Sequence, residues 1–208
     1  MQARGVGPVA VWSSHGGFAR RLLDTLRGLG LSGLIPRGER ECLASRSLLL
    51  DLADAPLAPR GCLSHPGLVA VDRGDVLGSV IRVVEALKPP REYLLGIDPG
   101  ERRTGLALMA RGFLVHGEVL RSVHEAARLA CHVAGRVTAP LLVGVGYSPA
   151  SRHYALQALE TLQGCGLAAR LVDEHATNRA LVPGLAGLDG VADHVRAAAV
   201  IALRATLA

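Results

Sequence analysis

Apolar positions along the chain fall into two differently patterned halves. In the first, Pro8 to Ser13 is a short apolar run that predicts a buried strand, and Gly17 to Leu29 predicts a helix with Phe18, Leu22, Leu23 and Leu26 on one face. Arg40 to Leu52 reads as a second helix, Gly67 to Val71 as a strand, and Asp75 to Leu87 as a helix capped by Asp72 or Asp75. Between them, Asp54 to Pro66 carries Pro56, Pro59, Gly61 and Pro66 and predicts a loop. The expectation is a small α/β layer. Lys88-Pro89-Pro90-Arg91 cannot continue a helix, so the boundary between the halves is placed there, giving domains 1–90 and 91–208.

The second half opens on the apolar strand Tyr93 to Ile97. Asp98-Pro99-Gly100 comes next as a turn, then return strands at Thr104 to Ala110 and Phe113 to Leu120, an antiparallel meander. Ser122 to Arg136 predicts a helix with Val123, Ala126, Ala127, Ala130 and Val133 inward. Leu141 to Val145 is continuously apolar, as in a strand covered on both faces. A helix at Ser151 to Gln163, a strand at Ala168 to Val172 and an Ala-rich helix at Val191 to Leu207 complete the order βββαβαβα.

That order, with Leu95-Gly96-Ile97-Asp98-Pro99-Gly100 and Thr104-Gly105-Leu106-Ala107, resembles the ribonuclease-H-like fold, in particular RuvC-type Holliday junction resolvases and their YqgF relatives. The resemblance covers residues 93–208. It implies a mixed sheet preceded by a small α/β N-terminal domain, and a metal-ligating Asp at the end of the first strand, here Asp98. Leu171-Val172-Asp173-Glu174-His175 looks like the acidic pair closing the fifth strand of the YqgF branch. Asp193, ahead of Ala197-Ala198-Ala199, is similar to the acid near the start of the last helix. The implied function is a metal-dependent nuclease acting on structured DNA or RNA, as a homodimer in the RuvC pattern.

The residue types suit that chemistry. Phosphodiester hydrolysis can be served by Mg2+ or Mn2+ held by carboxylates, and Asp98, Glu174 and Asp193 would supply three. Asp173 and His194 form a second tier, His194 as ligand or general base. Arg102, Arg103 and Arg179 are candidate phosphate contacts. Each also has a plain reading: Asp98 opens a turn, Asp173 or Glu174 caps the segment after the fifth strand, Asp193 favours a helix N-terminus, and Arg102 and Arg103 decorate an exposed hairpin tip. One departure stands out. RuvC-type enzymes carry an acid at the end of the fourth strand, where this chain reads Val143-Gly144-Val145-Gly146-Tyr147-Ser148. A YqgF-like segment of small residues fits better there, and a nucleic-acid-binding module with weak or no catalysis is the alternative. Gly96-Ile97-Asp98-Pro99-Gly100 also looks like the first phosphate loop of actin-like and sugar-kinase ATPases, but the chain has no second such loop.

Composition narrows the classes further. The chain has 208 residues, half of them hydrophobic, so a sizeable core is expected and disorder is not. The formal net charge of +5 permits an anionic partner without demanding one, and the 22 arginines against one lysine are spread along the whole chain. Six scattered aromatics exclude a base-stacking platform. No apolar stretch reaches the length of a membrane span and the N-terminus lacks a signal-peptide core, so a cytoplasmic protein is expected. Cys42, Cys62, Cys131 and Cys165 form no C-x-x-C pair and read as buried thiols.

Overall fold

The computed structural model describes residues 7–174, 188 and 190–207. The chain divides into two compact units, Met1–Pro89 and Pro90–Ala208.

The first unit is a parallel sheet with strands β1 (Val9–Trp12), β2 (Gly33–Leu34), β3 (Ser47–Asp51) and β4 (Leu68–Val71) in the order β2-β1-β3-β4. Helix α1 (Gly16–Gly28) is capped by His15, whose Nδ1 accepts the Phe18 N–H at 3.0 Å, and it buries Phe18, Leu22 and Leu26 at successive intervals of four. Helix α4 (Val76–Leu87) is capped by Asp75, which accepts from Gly78 N.

Three sequence expectations fail in this unit. Arg40 to Leu52 is not one helix: it splits into α2 (Glu39–Ala44) and β3. The physical reason is that Ser47-Leu48-Leu49-Leu50-Asp51 lies between β1 and β4 with all five residues buried, and a short apolar run covered on both faces has no period that separates helix from strand. The expected loop at 54–66 instead contains most of a 3-10 turn, Leu52–Leu57, and the short helix α3 (Arg60–Leu63). Finally, the cysteines are paired: Cys42 with Cys62, linking α2 to α3, and Cys131 with Cys165 in the second unit. Their separations of 20 and 34 residues are closed by tertiary structure that spacing alone does not reveal. Among the described residues no helix is long and apolar enough to cross a membrane.

The second unit is a mixed sheet built from β5 (Tyr93–Asp98), β6 (Thr104–Ala110), β7 (Phe113–Leu120), β8 (Leu141–Tyr147) and β9 (Ala169–Asp173), ordered β7-β6-β5-β8-β9. The β5-β6-β7 meander is antiparallel, and β8 and β9 run parallel to β5. Helices α5 (Val123–Ala134) and α6 (Arg152–Gly164) pack together, and α7 (Asp193–Arg204) lies across β5, β6 and β8. Ala198, Ala199 and Ala202 of α7 form a core with Ala107 and Met109 of β6.

Two glycines set how near α7 lies. A Cβ at Gly96 on β5 would meet the carbonyl of Ala198 and the backbone of Ala202, and one at Gly105 on β6 would meet the carbonyl of His194. Small residues on both surfaces let helix and sheet approach backbone to backbone. This approach brings the first turn of α7 down onto the end of β5.

Candidate active site

Strand β5 ends at Asp98, paired with Gly105 across the hairpin, and Pro99-Gly100 turns the chain away. The Asp98 side chain is 15% exposed, and its Oδ2 lies 2.9 Å from His194 Nδ1 on the first turn of α7. Burial raises the Asp98 carboxyl above its ordinary pKa, while the hydrogen bond and charge of His194 oppose the rise. With Asp98 ionised, the carboxylate only accepts, so Nδ1 carries a proton, and in the neutral form of the ring Nε2 holds the lone pair. His194 is 43% exposed and borders a cleft of about 330 Å³ together with Asp98, Pro99, Asp193 and Arg196.

Glu174 comes directly after β9, and its N–H donates to the Tyr147 carbonyl, prolonging the β8–β9 pairing by one step. Its Oε1 accepts from Ser151 Oγ at 3.0 Å, and Ser151 is joined to Ser148 by hydroxyl and main-chain hydrogen bonds. Burial raises the Glu174 pKa; Ser151 and Ser148 pull it down, and the charges of Asp98 and Asp173 push it up again. The two carboxylates of Asp98 and Glu174 therefore sense each other at this end of the sheet. Gly146 makes room for this: a Cβ there would stand 2.7 Å from Glu174 Oε1 and 3.0 Å from its Cγ. The missing side chain at the end of β8 is thus filled in space by an acid from the neighbouring strand.

Asp193 is placed differently. It is the first residue of α7, its side chain is 88% exposed, and it pairs with Arg196 at 3.1 Å. Successive helical residues are turned by about 100°, so His194 faces Asp98 while Asp193 looks outward to Arg196. Asp173 is exposed at the end of β9, and Arg102 and Arg103 are exposed in the β5–β6 turn. Arg179 lies outside the described residues.

The expected three-carboxylate seat for Mg2+ or Mn2+ is accordingly not formed. Among the described residues no three His, Cys, Asp or Glu side chains gather as metal donors, because the third acid, Asp193, is turned to solvent and an arginine. What the fold does bring together is a His–Asp pair, a second carboxylate and Arg196. Sequence reasoning ranked His194 below Asp193 and passed over Arg196 and Ser151. The spacing of Asp193 and Arg196, three apart on a helix start, is the signal that could have shown Asp193 to be engaged elsewhere.

No family model matches the chain, and no curated protein matches it. Solved structures are similar to part of the chain, among them two of RuvC. One is T. thermophilus RuvC in complex with Holliday junction substrate, with a TM-score of 0.43 and 22% identity over 54% of this chain and 90% of that chain. The other is Thermus thermophilus RuvC, with a TM-score of 0.42 and 24% identity over 53% of this chain and 90% of that one.

Proposed function

We propose that the second unit is a ribonuclease-H-like module that cleaves phosphodiester bonds in structured nucleic acid. The observation that carries the reading is the 2.9 Å contact of Asp98 with His194, made at the end of the central strand and open to a cleft that also holds Arg196. In this reading Asp98 fixes the imidazole by accepting from Nδ1–H. Nε2 takes the proton from the attacking water or ribose hydroxyl as its oxygen bonds to phosphorus, and the imidazolium that forms is stabilised by the carboxylate beneath it. The P–O bond to the leaving oxygen breaks, that oxygen takes a proton from solvent in the open cleft, and the imidazolium returns its proton to solvent. Arg196 supplies a fork of donors suited to a phosphate diester, once its pairing with the exposed Asp193 gives way to the more highly charged substrate. Glu174, held by Ser151 and within electrostatic reach of Asp98, favours the protonated imidazole when it is itself ionised.

Among the described residues only Asp98 and Glu174 of the three expected carboxylates turn toward the site, and the dyad reading predicts cleavage that persists in chelator. The test incubates fluorescent four-way-junction DNA and hairpin RNA with wild type and His194→Ala, in EDTA and separately in Mg2+ and Mn2+. Cleavage by wild type in EDTA, lost in His194→Ala, supports the dyad. Cleavage only with added metal would return the site to the metal-dependent scheme, and uncut substrate under every condition removes the nuclease reading.

A second reading is a nucleic-acid-binding module of the same fold with little or no catalysis. It is favoured by the absence of an acid at the end of β8 and by the outward turn of Asp193. Retention of DNA or RNA without cleavage, weakening steeply with salt, is its signature.

A further inference from the structure

The parallel sheet of the first unit changes its winding direction at β1. The connection after β1 leads through α1 to β2 on one side, and the next leads through α2 back to β3 on the other. Helix α1 packs with α4 and α2 with α3, as right-handed crossovers in opposite directions require, so the chain leaves β1 and β3 toward opposite faces. Loops that part in this way open a crevice at the C-terminal ends of the strands, where open α/β sheets take their ligands.

A cavity of about 230 Å³ lies there. Its apolar walls are Trp12 at the end of β1, Ile35 and Pro36 beyond β2, and Leu57 beyond β3. Ile35 is 56% exposed and Leu57 72%, so two large apolar side chains meet at one opening without being covered by the core of the unit. The size is that of a single ring system, since clefts for drug-sized ligands start at about 300 Å³.

The polar end of the cavity is Ser13 and Ser14, which follow β1, and Asp54, which follows β3. Both hydroxyl protons are committed: Ser13 Oγ donates to Asp51 and Ser14 Oγ to Asp54, each at 2.8 Å. Asp54 is ionised at neutral pH, because the Ser14 N–H leads in holding its carboxyl below the ordinary range, and it meets a counter-charge in Arg73 at 2.7 Å. What these three side chains can offer a ligand is oxygen lone pairs. None of the described lining residues is Lys, Arg or His, so a phosphate or carboxylate finds no partner charge.

We propose that this cavity binds one nucleobase carrying an exocyclic amine, adenine or cytosine, with the ring against Trp12, Ile35 and Leu57 and the amino group donating to Ser14 or Asp54. A flat ring that is apolar on its faces, uncharged and edged by an N–H donor meets the size, the walls and the acceptors together. Because Asp54 is already paired with Arg73, the polar end is an acceptor and not a bare anion, and a neutral amine suits it better than an ammonium. One indole serves one base, unlike the row of rings that holds a single strand. A free nucleoside and an unstacked base of a strand are two sources of this same chemistry. The proposal concerns the first unit and does not rest on cleavage by the second.

Trp12 is the only tryptophan in the chain, so intrinsic fluorescence reads this cavity directly. The full-length protein is titrated with adenosine, inosine, cytidine, uridine, oligodeoxyadenylate and phenethylamine, with calorimetry alongside. Saturable binding of adenosine and cytidine is expected, about tenfold weaker for inosine and uridine, whose oxo group sets an acceptor against acceptors. The pair Ile35→Gln with Leu57→Gln alters two exposed side chains and is expected to weaken adenosine about tenfold while leaving the urea midpoint in place. Adenosine bound as tightly as the oligonucleotide supports a free nucleoside, and a much tighter oligonucleotide supports a base of a strand. Equal binding of adenosine and inosine would overturn the proposal, as would phenethylamine binding more tightly than adenosine, an unaltered affinity in the glutamine pair, or no binding of any base. Each of those results leaves the cleavage assigned to Asp98 and His194 as it stands.

Discussion

Each unit gathers acids at the C-terminal ends of its strands, and the two gatherings are handled in opposite ways. In the first, Asp51 at the end of β3 is 0% exposed and Asp54 is buried beside it, and a single guanidinium spans both, Arg73 Nε to Asp51 at 2.8 Å and a terminal nitrogen to Asp54 at 2.7 Å. Ser13 donates to Asp51, Ser14 donates twice to Asp54, and Asp51 also caps the turn at Ala53. The main-chain N–H of Ser14 leads in holding Asp54 below the ordinary carboxylate range, helped by Arg73. In the second unit Asp98 and Glu174 are partly desolvated against one histidine and two serines, and both are raised. The first arrangement is a clasp that strengthens the fold. The second keeps charge in an unfavourable setting, as reactive sites do.

That contrast can be broken most forcefully in the clasp. Asp51→Ala removes charged hydrogen bonds to Ser13 and Arg73 and a turn cap, and is expected to cost about 3 kcal/mol by urea denaturation. Asp98→Asn, by contrast, is expected to leave stability unchanged or higher at neutral pH. Equal losses from the two would erase the distinction. Next in size is Gly96→Ala, whose methyl would collide with the Ala198 carbonyl. A cost of about 1–3 kcal/mol is expected from lifting α7, with His194 amide shifts moved in the NMR spectrum, and a silent variant would show that α7 is not pinned there.

The smallest effect is the most diagnostic, because its sign differs between the units. The Asp54 contribution is present above its ordinary pKa and is lost as pH falls through its lowered folded value. Asp98 and Glu174 behave in reverse: their contribution is present below their ordinary pKa values and is lost as pH rises through the raised folded ones. Hydrogen exchange measured from acid to neutral pH should show the first unit gaining protection as the second loses some, and Glu174→Gln should flatten only the second trend. Parallel trends in both units would contradict the assignment.

The sequence made the second unit legible because its signals are local. The meander at Tyr93 to Leu120 is written in turn residues and apolar runs, and the α5 face in helical period. The first unit was harder, since Ser47–Asp51 is recognised as a strand only from what covers it on both sides. The site was half legible. Asp98 and Glu174 mark strand ends that can be counted along the chain, but which of Asp193 and His194 faces inward is a rotation of one residue on α7, fixed by glycine contacts at Gly96 and Gly105. Disulfide pairing and the Asp51-Arg73-Asp54 clasp depend on residues brought together only by the finished fold.

The central claim is that Asp98 works by orienting His194 as a base. Single-turnover cleavage of hairpin RNA and four-way-junction DNA by wild type and Asp98→Asn, at enzyme concentrations saturating for both, measures this with binding held constant. A rate at least a hundredfold lower in Asp98→Asn is expected, since the amide can hold the ring in the wrong tautomer and cannot stabilise the imidazolium. Equal rates in the two proteins would contradict it.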